Sequence, residues 1–139
     1  MNTPAPERQL GWLDHVRLFN LLNVPRAGQQ LPEALAEQAR DLLDLAEVVD
    51  PQTIPADLVT MRSRVRLERG GGQQELTLAY PADEPDATER ISVFSPLGMA
   101  LLGARVGEQI AWRGPVGKQY SARVAGLVYQ PEAAGDFSR

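Results

Sequence analysis

Ser95-Pro96-Leu97-Gly98-Met99-Ala100-Leu101-Leu102-Gly103-Ala104-Arg105-Val106-Gly107-Glu108 decides how the rest of this sequence folds. The stretch predicts one short helix with both ends written in. Ser95 is a strong N-cap, because its hydroxyl can accept a hydrogen bond from an otherwise unpaired first-turn N–H. Pro96 takes the first helical position, where a missing N–H costs nothing. Gly103 supplies the left-handed residue that closes the helix, and Gly107 a tight turn beyond it. About two turns of helix do not stand alone in water. The helix has to dock, and strand-like runs on both sides point to a sheet as its support.

Those runs alternate polar and apolar side chains, the pattern of half-buried strands. Upstream lie Arg64–Glu68, the turn Gly70-Gly71-Gly72, and Glu75–Tyr80 with Leu76, Leu78 and Tyr80 on one face. The first two runs form a hairpin. After an exposed loop from Pro81 to Glu89, Ile91–Phe94 is a third strand leading straight into the helix. Downstream, Gln109–Arg113 and Tyr120–Tyr129 are joined by the turn Gly114-Pro115-Val116-Gly117, with Gly126 marking a bulge or close approach. Pro131 ends the last strand. The expectation is a sheet of about five mostly antiparallel strands covered by one short helix.

In front of it the period is helical. Glu7–Asn23 lacks proline and reads as a helix about 25 Å long. Its apolar residues cover most of the circumference, and Trp12, Val16 and Phe19 make one clean line, so it needs more than one packing partner. Asn23–Gln30 holds two helix breakers and is a loop. A second helix runs from Pro32 to about Asp50, with Leu35, Ala39, Leu42, Ala46 and Val49 spaced as a coiled-coil seam. Two helices joined by a short loop make an antiparallel hairpin. The prolines at 51 and 55 separate it from the sheet. The whole is α+β: a helical, coiled-coil hairpin over 1–50 and a globular domain over 51–139.

Composition narrows the function. No apolar run approaches the roughly 18 residues of a membrane span, and the first residues lack the pattern of a signal peptide. Cysteine is absent, which removes disulfides, thiolate metal sites and a cysteine nucleophile. The expected compartment is the cytoplasm. Residues 1–60 carry a formal charge of −5 and residues 61–139 one of +1. An acidic first half argues against nucleic-acid binding, which draws on positive charge at phosphates, and is compatible with a basic protein surface.

The chemistry of enzymes is hard to find in this chain. Gly98 and Gly103 have the glycine spacing of a phosphate loop, but Ala104 and Arg105 stand where lysine and a hydroxyl residue are required. His15 is the only histidine and lies in the first helix, with no Gly-x-Ser-x-Gly turn to serve. Glu132 and Asp136 could share a face if the tail were helical, and a solvated tail is the better reading. No catalytic residue, cofactor or metal site is expected. Four aromatics, Phe94, Trp112, Tyr120 and Tyr129, are the material for a proline pocket if the domain were an isomerase; as scattered residues they read better as core.

Ile91–Gly103, continuing through Val106-Gly107-Glu108, resembles the C-terminal domain of the bacterial Gre transcript-cleavage factors. Ile54-Pro55-Ala56-Asp57-Leu58-Val59-Thr60-Met61-Arg62-Ser63-Arg64-Val65 and the ending Tyr129–Phe137 are similar to the family of regulators of nucleoside diphosphate kinase. The resemblance implies an FKBP-like fold for the globular domain, which does not by itself bring isomerase activity. It also implies docking at the mouth of the secondary channel of RNA polymerase and an influence on nucleoside diphosphate kinase levels. Direct contact with the kinase is a further reading. In the Gre factors a long hairpin presents acidic residues at its tip to hold a catalytic magnesium ion. Here Val24–Leu31 contains no acid, and Glu33 is set back in the second helix, so transcript cleavage is not expected. Leu97, Met99 and Arg105, on the short helix and the turn after it, form the candidate polymerase-binding patch. No membrane partner and no sequence-specific nucleic-acid contact are expected.

Overall fold

The computed structural model describes residues 8–23, 33–80, 89–114 and 117–135. The chain opens with β1 (Gln9–Gly11), α1 (Trp12–Asn23), α2 (Glu33–Leu45) and β2 (Glu47–Val49). A 3-10 turn, Pro51–Thr53, follows, with Asp50 Oδ1 accepting the Gln52 N–H at 2.9 Å. Then come β3 (Arg64–Arg69), β4 (Gly72–Ala79), β5 (Arg90–Ser92), α3 (Pro96–Leu101), β6 (Gln109–Arg113) and β7 (Gln119–Tyr129).

The hairpin corrects the sequence reading in three ways. The first helix starts at Trp12 rather than Glu7, because Gln9–Gly11 is extended and pairs in parallel with Glu47–Val49. For the same reason the second helix stops at Leu45 rather than near Asp50: Val48 and Val49 are β-branched and favour the strand. The predicted seam is also turned. Ala36, Ala39 and Leu43 are buried, whereas Leu35, Leu42 and Ala46 lie half-buried against the core and Val49 belongs to β2. A hairpin that rests on a globular domain buries a broad arc, not the narrow stripe of a free two-helix seam. Pro32 and the connecting loop lie outside the described residues.

The five-stranded sheet has the order β5-β4-β3-β7-β6. Three of its four pairings are antiparallel, as expected, and β4–β5 is parallel. The third strand is shorter than Ile91–Phe94, since Val93 and Phe94 already turn toward α3. Opposite β3, the register of β7 shifts between the partners Gly126 and Val124, which places a bulge beside Gly126. Alternation buries Val65, Leu67, Leu76, Leu78, Ala122 and Val124 on one face, where Leu101 and Leu102 of the α3 segment close the core. Leu10 and Leu18 belong to the same cluster, so the hairpin shares one core with the sheet. The Pro81–Glu89 loop lies outside the described residues up to position 88.

Candidate functional site

Helix α3 is built as its residues dictate. Ser95 Oγ accepts the Gly98 N–H at 3.0 Å and donates to the Ser92 carbonyl at 2.6 Å, fastening the helix start to the end of β5. Gly98 is required by close approach: a methyl there would collide with the Ser92 carbonyl oxygen and lie 2.9 Å from Val93 Cα. Gly103 turns left-handed at φ 79°, and its N–H donates to the Val59 carbonyl at 2.9 Å. The Val59 N–H returns a bond to Ala104 O at 2.8 Å, so the helix exit is laced to the segment before β3.

The three predicted contact residues part company on this frame. Met99 is 4% exposed and packs in the core, which corrects its place in a surface patch. Leu97, two residues earlier and so on another side of the helix, is half-buried and lines a groove of about 340 Å³ with Leu67, Arg69, Gln74, Trp112 and Ala122. Arg105 is exposed and pairs with Asp57 at 3.1 Å, in a separate hollow shared with Arg8, Gln9 and Glu108. The lining residues of these two hollows have none in common.

The groove beside Leu97 is the more organised surface. Trp112 and Tyr120 are register partners across β6 and β7, and their rings stack at 5.9 Å. The Arg69 guanidinium stands 5.8 Å from each ring and Lys118 Nζ 5.6 Å from Tyr120, within range of cation–π attraction. Gly114 leaves room for Tyr120, whose ring a methyl at that position would strike. Of the four aromatics considered for a proline pocket, the structure brings these two together. Phe94 packs against the core and Tyr129 pairs with Arg64 at the far end of β7.

A second polar centre lies where the hairpin meets the domain. Asp14 is 4% exposed. Its Oδ2 accepts the Met61 N–H at 3.2 Å and its Oδ1 the Tyr80 hydroxyl at 3.1 Å. Burial disfavours the charged carboxylate and raises its pKa to about 6, opposed mainly by the Met61 hydrogen bond. Burial and the neighbouring carboxylate also push the Tyr80 hydroxyl above its usual range. Arg62 lies over the Tyr80 ring at 5.0 Å and Arg17 at 5.9 Å. The adjoining loop is held from the other side: Gln130 Nε2 donates to Pro55 O (2.8 Å) and Leu58 O (2.6 Å), and Thr60 Oγ1 to Glu132 (2.7 Å). Sequence reading missed Asp14. Its signal was there, for Leu10, Asp14, Leu18 and Leu22 step by four, and an acid inside a buried line wants dedicated donors.

The remaining candidates are accounted for. His15 Nε2 lies 3.0 Å from the Leu43 carbonyl and ties α1 to α2. Glu33 is exposed at the start of α2. Asp136 and the tip loop fall outside the described residues. Among the described residues, no group of three His, Cys, Asp or Glu side chains could hold a metal ion. None of the helices there is long and apolar enough to cross a membrane.

Residues 54–129, from the first connector to the end of β7, match the family described as transcription elongation factor GreA/GreB, C-terminal domain. The regulator of nucleoside diphosphate kinase of Escherichia coli (strain K12) is 42% identical over 128 residues, covering 90% of this chain and 91% of that protein. A transcription elongation factor GreA of Chlorobium phaeobacteroides is 32% identical over 67% of this chain and 60% of its own length. Among solved structures, a transcription elongation factor GreA/GreB from Nitrosomonas europaea superposes with a TM-score of 0.73 at 35% identity, covering 90% of this chain and all of that one. The chain belongs to the GreA/GreB family through its C-terminal domain, and along its length it is a relative of the regulators of nucleoside diphosphate kinase.

Proposed function

We propose that this protein is a non-enzymatic, cytoplasmic regulator that binds RNA polymerase near its secondary channel and modulates nucleoside diphosphate kinase levels, without transcript-cleavage activity. It has two parts over one shared core, a helical hairpin over residues 1–50 and an FKBP-like globular domain over 51–139. The globular domain makes the principal contact. Leu97 and Arg105 are the contact residues on either side of α3, and Met99 holds the helix between them from beneath.

One observation carries the reading: a Gre-type domain is joined to a hairpin unsuited to cleavage. Over the described residues its helices span 12 and 13 residues, about 18 and 20 Å. The sequence between them, Val24–Leu31, has no carboxylate, and the nearest is Glu33, set back in α2. Magnesium takes hard oxygen ligands, and the sequence between the two helices offers no carboxylate to hold one. Tagged protein is expected to retain polymerase subunits from purified core enzyme at low salt, and Leu97→Glu to weaken retention. Failure of the unmodified protein to retain them would refute the proposal.

The stacked Trp112–Tyr120 pair in the groove favours one other reading, a peptidyl-prolyl isomerase. Its groove is flanked by Arg69 and Lys118, an unusual wall for an apolar proline ring. A peptide isomerisation assay separates the two: no rate above background is expected.

A further inference from the structure

The outer side of the hairpin has no part in the contact above. On α1, Trp12 (50% exposed), Val16 (46%) and Phe19 (51%) turn about half of each side chain to solvent. They stand at i, i+4 and i+7, in line along one face, and Asn23 continues the line. Single exposed apolar residues are ordinary. Three large ones in a row on a helix of 12 residues form a patch.

Helical geometry fixes what stands beside it. Stepping round α1 at about 100° per residue, Asp14 faces the globular domain. Next comes the arc of Leu18, Leu22 and His15, which carries the bond to Leu43 of α2. The apolar line follows. Round α2 the half-buried Leu35 and Leu42 come first, then the buried Ala39, Leu43 and Ala36, then Glu33, Asp44 and Glu37. Because α2 runs antiparallel to α1, these two orders are mirror images. The acid row of α2 therefore opens on the same side of the hairpin as the apolar line of α1. Those three acids are exposed, with Arg40 the cation among them.

We propose that this side of the hairpin is a docking surface for a protein segment that presents an apolar ridge with a basic flank. A second copy of the chain is a poor occupant on two counts. Full burial of an aromatic side chain removes about 150–250 Å², so the half-exposed stripe offers roughly 300 Å². Two copies would then bury about 600 Å², well under the roughly 1,000 Å² of a specific interface. Two copies would also bring one acid row against another. A basic partner meets the exposed Glu33, Glu37 and Asp44 with its opposite charge and gains contact with both helices.

The test uses the full-length protein and two synthetic helical peptides with the same apolar ridge, one flanked by lysines and one by glutamates. The chain has two tryptophans, Trp12 and Trp112, so its 15N indole spectrum carries a reporter on the hairpin and a control on the sheet. The lysine-flanked peptide is expected to move the Trp12 resonance and leave Trp112 in place. Val16→Glu, at an exposed position, should weaken that binding about tenfold at unchanged thermal stability. Glu37→Lys with Asp44→Lys should reverse the preference between the peptides. Equal binding of both peptides, parallel movement of Trp112, or unchanged affinity in a folded Val16→Glu variant would overturn the proposal. So would sedimentation showing a dimer that Val16→Glu dissolves, since a second copy would then cover the patch. The polymerase contact of the globular domain is a separate measurement and stands or falls without this one.

Discussion

Replacing Asp14 by asparagine tests the junction between hairpin and domain most sharply. Asparagine keeps a carbonyl oxygen for the Met61 N–H and offers an amide to Tyr80, so the shape of the contact survives while the titration is lost. In the native protein burial raises the Asp14 pKa from 3.8 to about 6. The folded state therefore holds the proton more tightly than the unfolded chain. Its stabilising contribution is fully present below about pH 4 and is lost as pH rises through about 6. A shift of about two units corresponds to about 3 kcal/mol at 1.36 kcal/mol per unit, of which about 2.5 kcal/mol should have returned by pH 4. Acid acts on every carboxylate of both proteins, so absolute stability is a poor readout. The difference between the two proteins is the clean one. Urea unfolding from pH 7.5 to pH 4 should shift that difference by about 2–3 kcal/mol in favour of the unsubstituted protein. A difference that is flat with pH, or that favours the asparagine variant at low pH, would refute the reasoning.

Other substitutions probe the frame around α3. Gly98→Ala should cost about 3 kcal/mol or more, seen as a large fall in melting temperature, because the added methyl meets backbone at Ser92 and Val93. Gly114→Ala should cost less, since what it meets is the Tyr120 ring, which can swing aside; near-ultraviolet circular dichroism of the Trp112–Tyr120 pair should change with it. Gln130→Ala should destabilise by about 2–4 kcal/mol in chemical unfolding, as it strips the Pro55 and Leu58 carbonyls of their shared donor.

Strong local signals carried most of the fold from sequence. Ser95-Pro96 and Gly103 bracket α3 through bonds that involve a few neighbouring residues, and the alternation in Glu75–Tyr80 and Tyr120–Tyr129 marks strands whose buried face is set by period alone. The errors lie where distant segments meet. Nothing within Gln9–Gly11 says strand until Glu47–Val49 is placed beside it, and the α2 seam turned because the sheet competes with α1 for its apolar arc. The site was less legible than the fold. Met99 is one residue past Gly98 and points inward because that glycine pulls the helix onto β5. Trp112 and Tyr120 were visible as aromatics, but their meeting depends on the β6–β7 register. Arg69 reaches them from β3. Asp14 was hidden by its own helix, where an acid reads as solvated until Met61 and Tyr80 arrive to donate to it.

Binding to polymerase and the absence of cleavage can be read in one assay. Immobilised, backtracked elongation complexes with end-labelled RNA are incubated with the protein and washed. Retained protein and transcript length are then read from the same sample. Retained protein and full-length RNA are expected. Shortened transcripts whose appearance depends on Glu33, or complexes that retain no protein at low salt, would contradict the proposal.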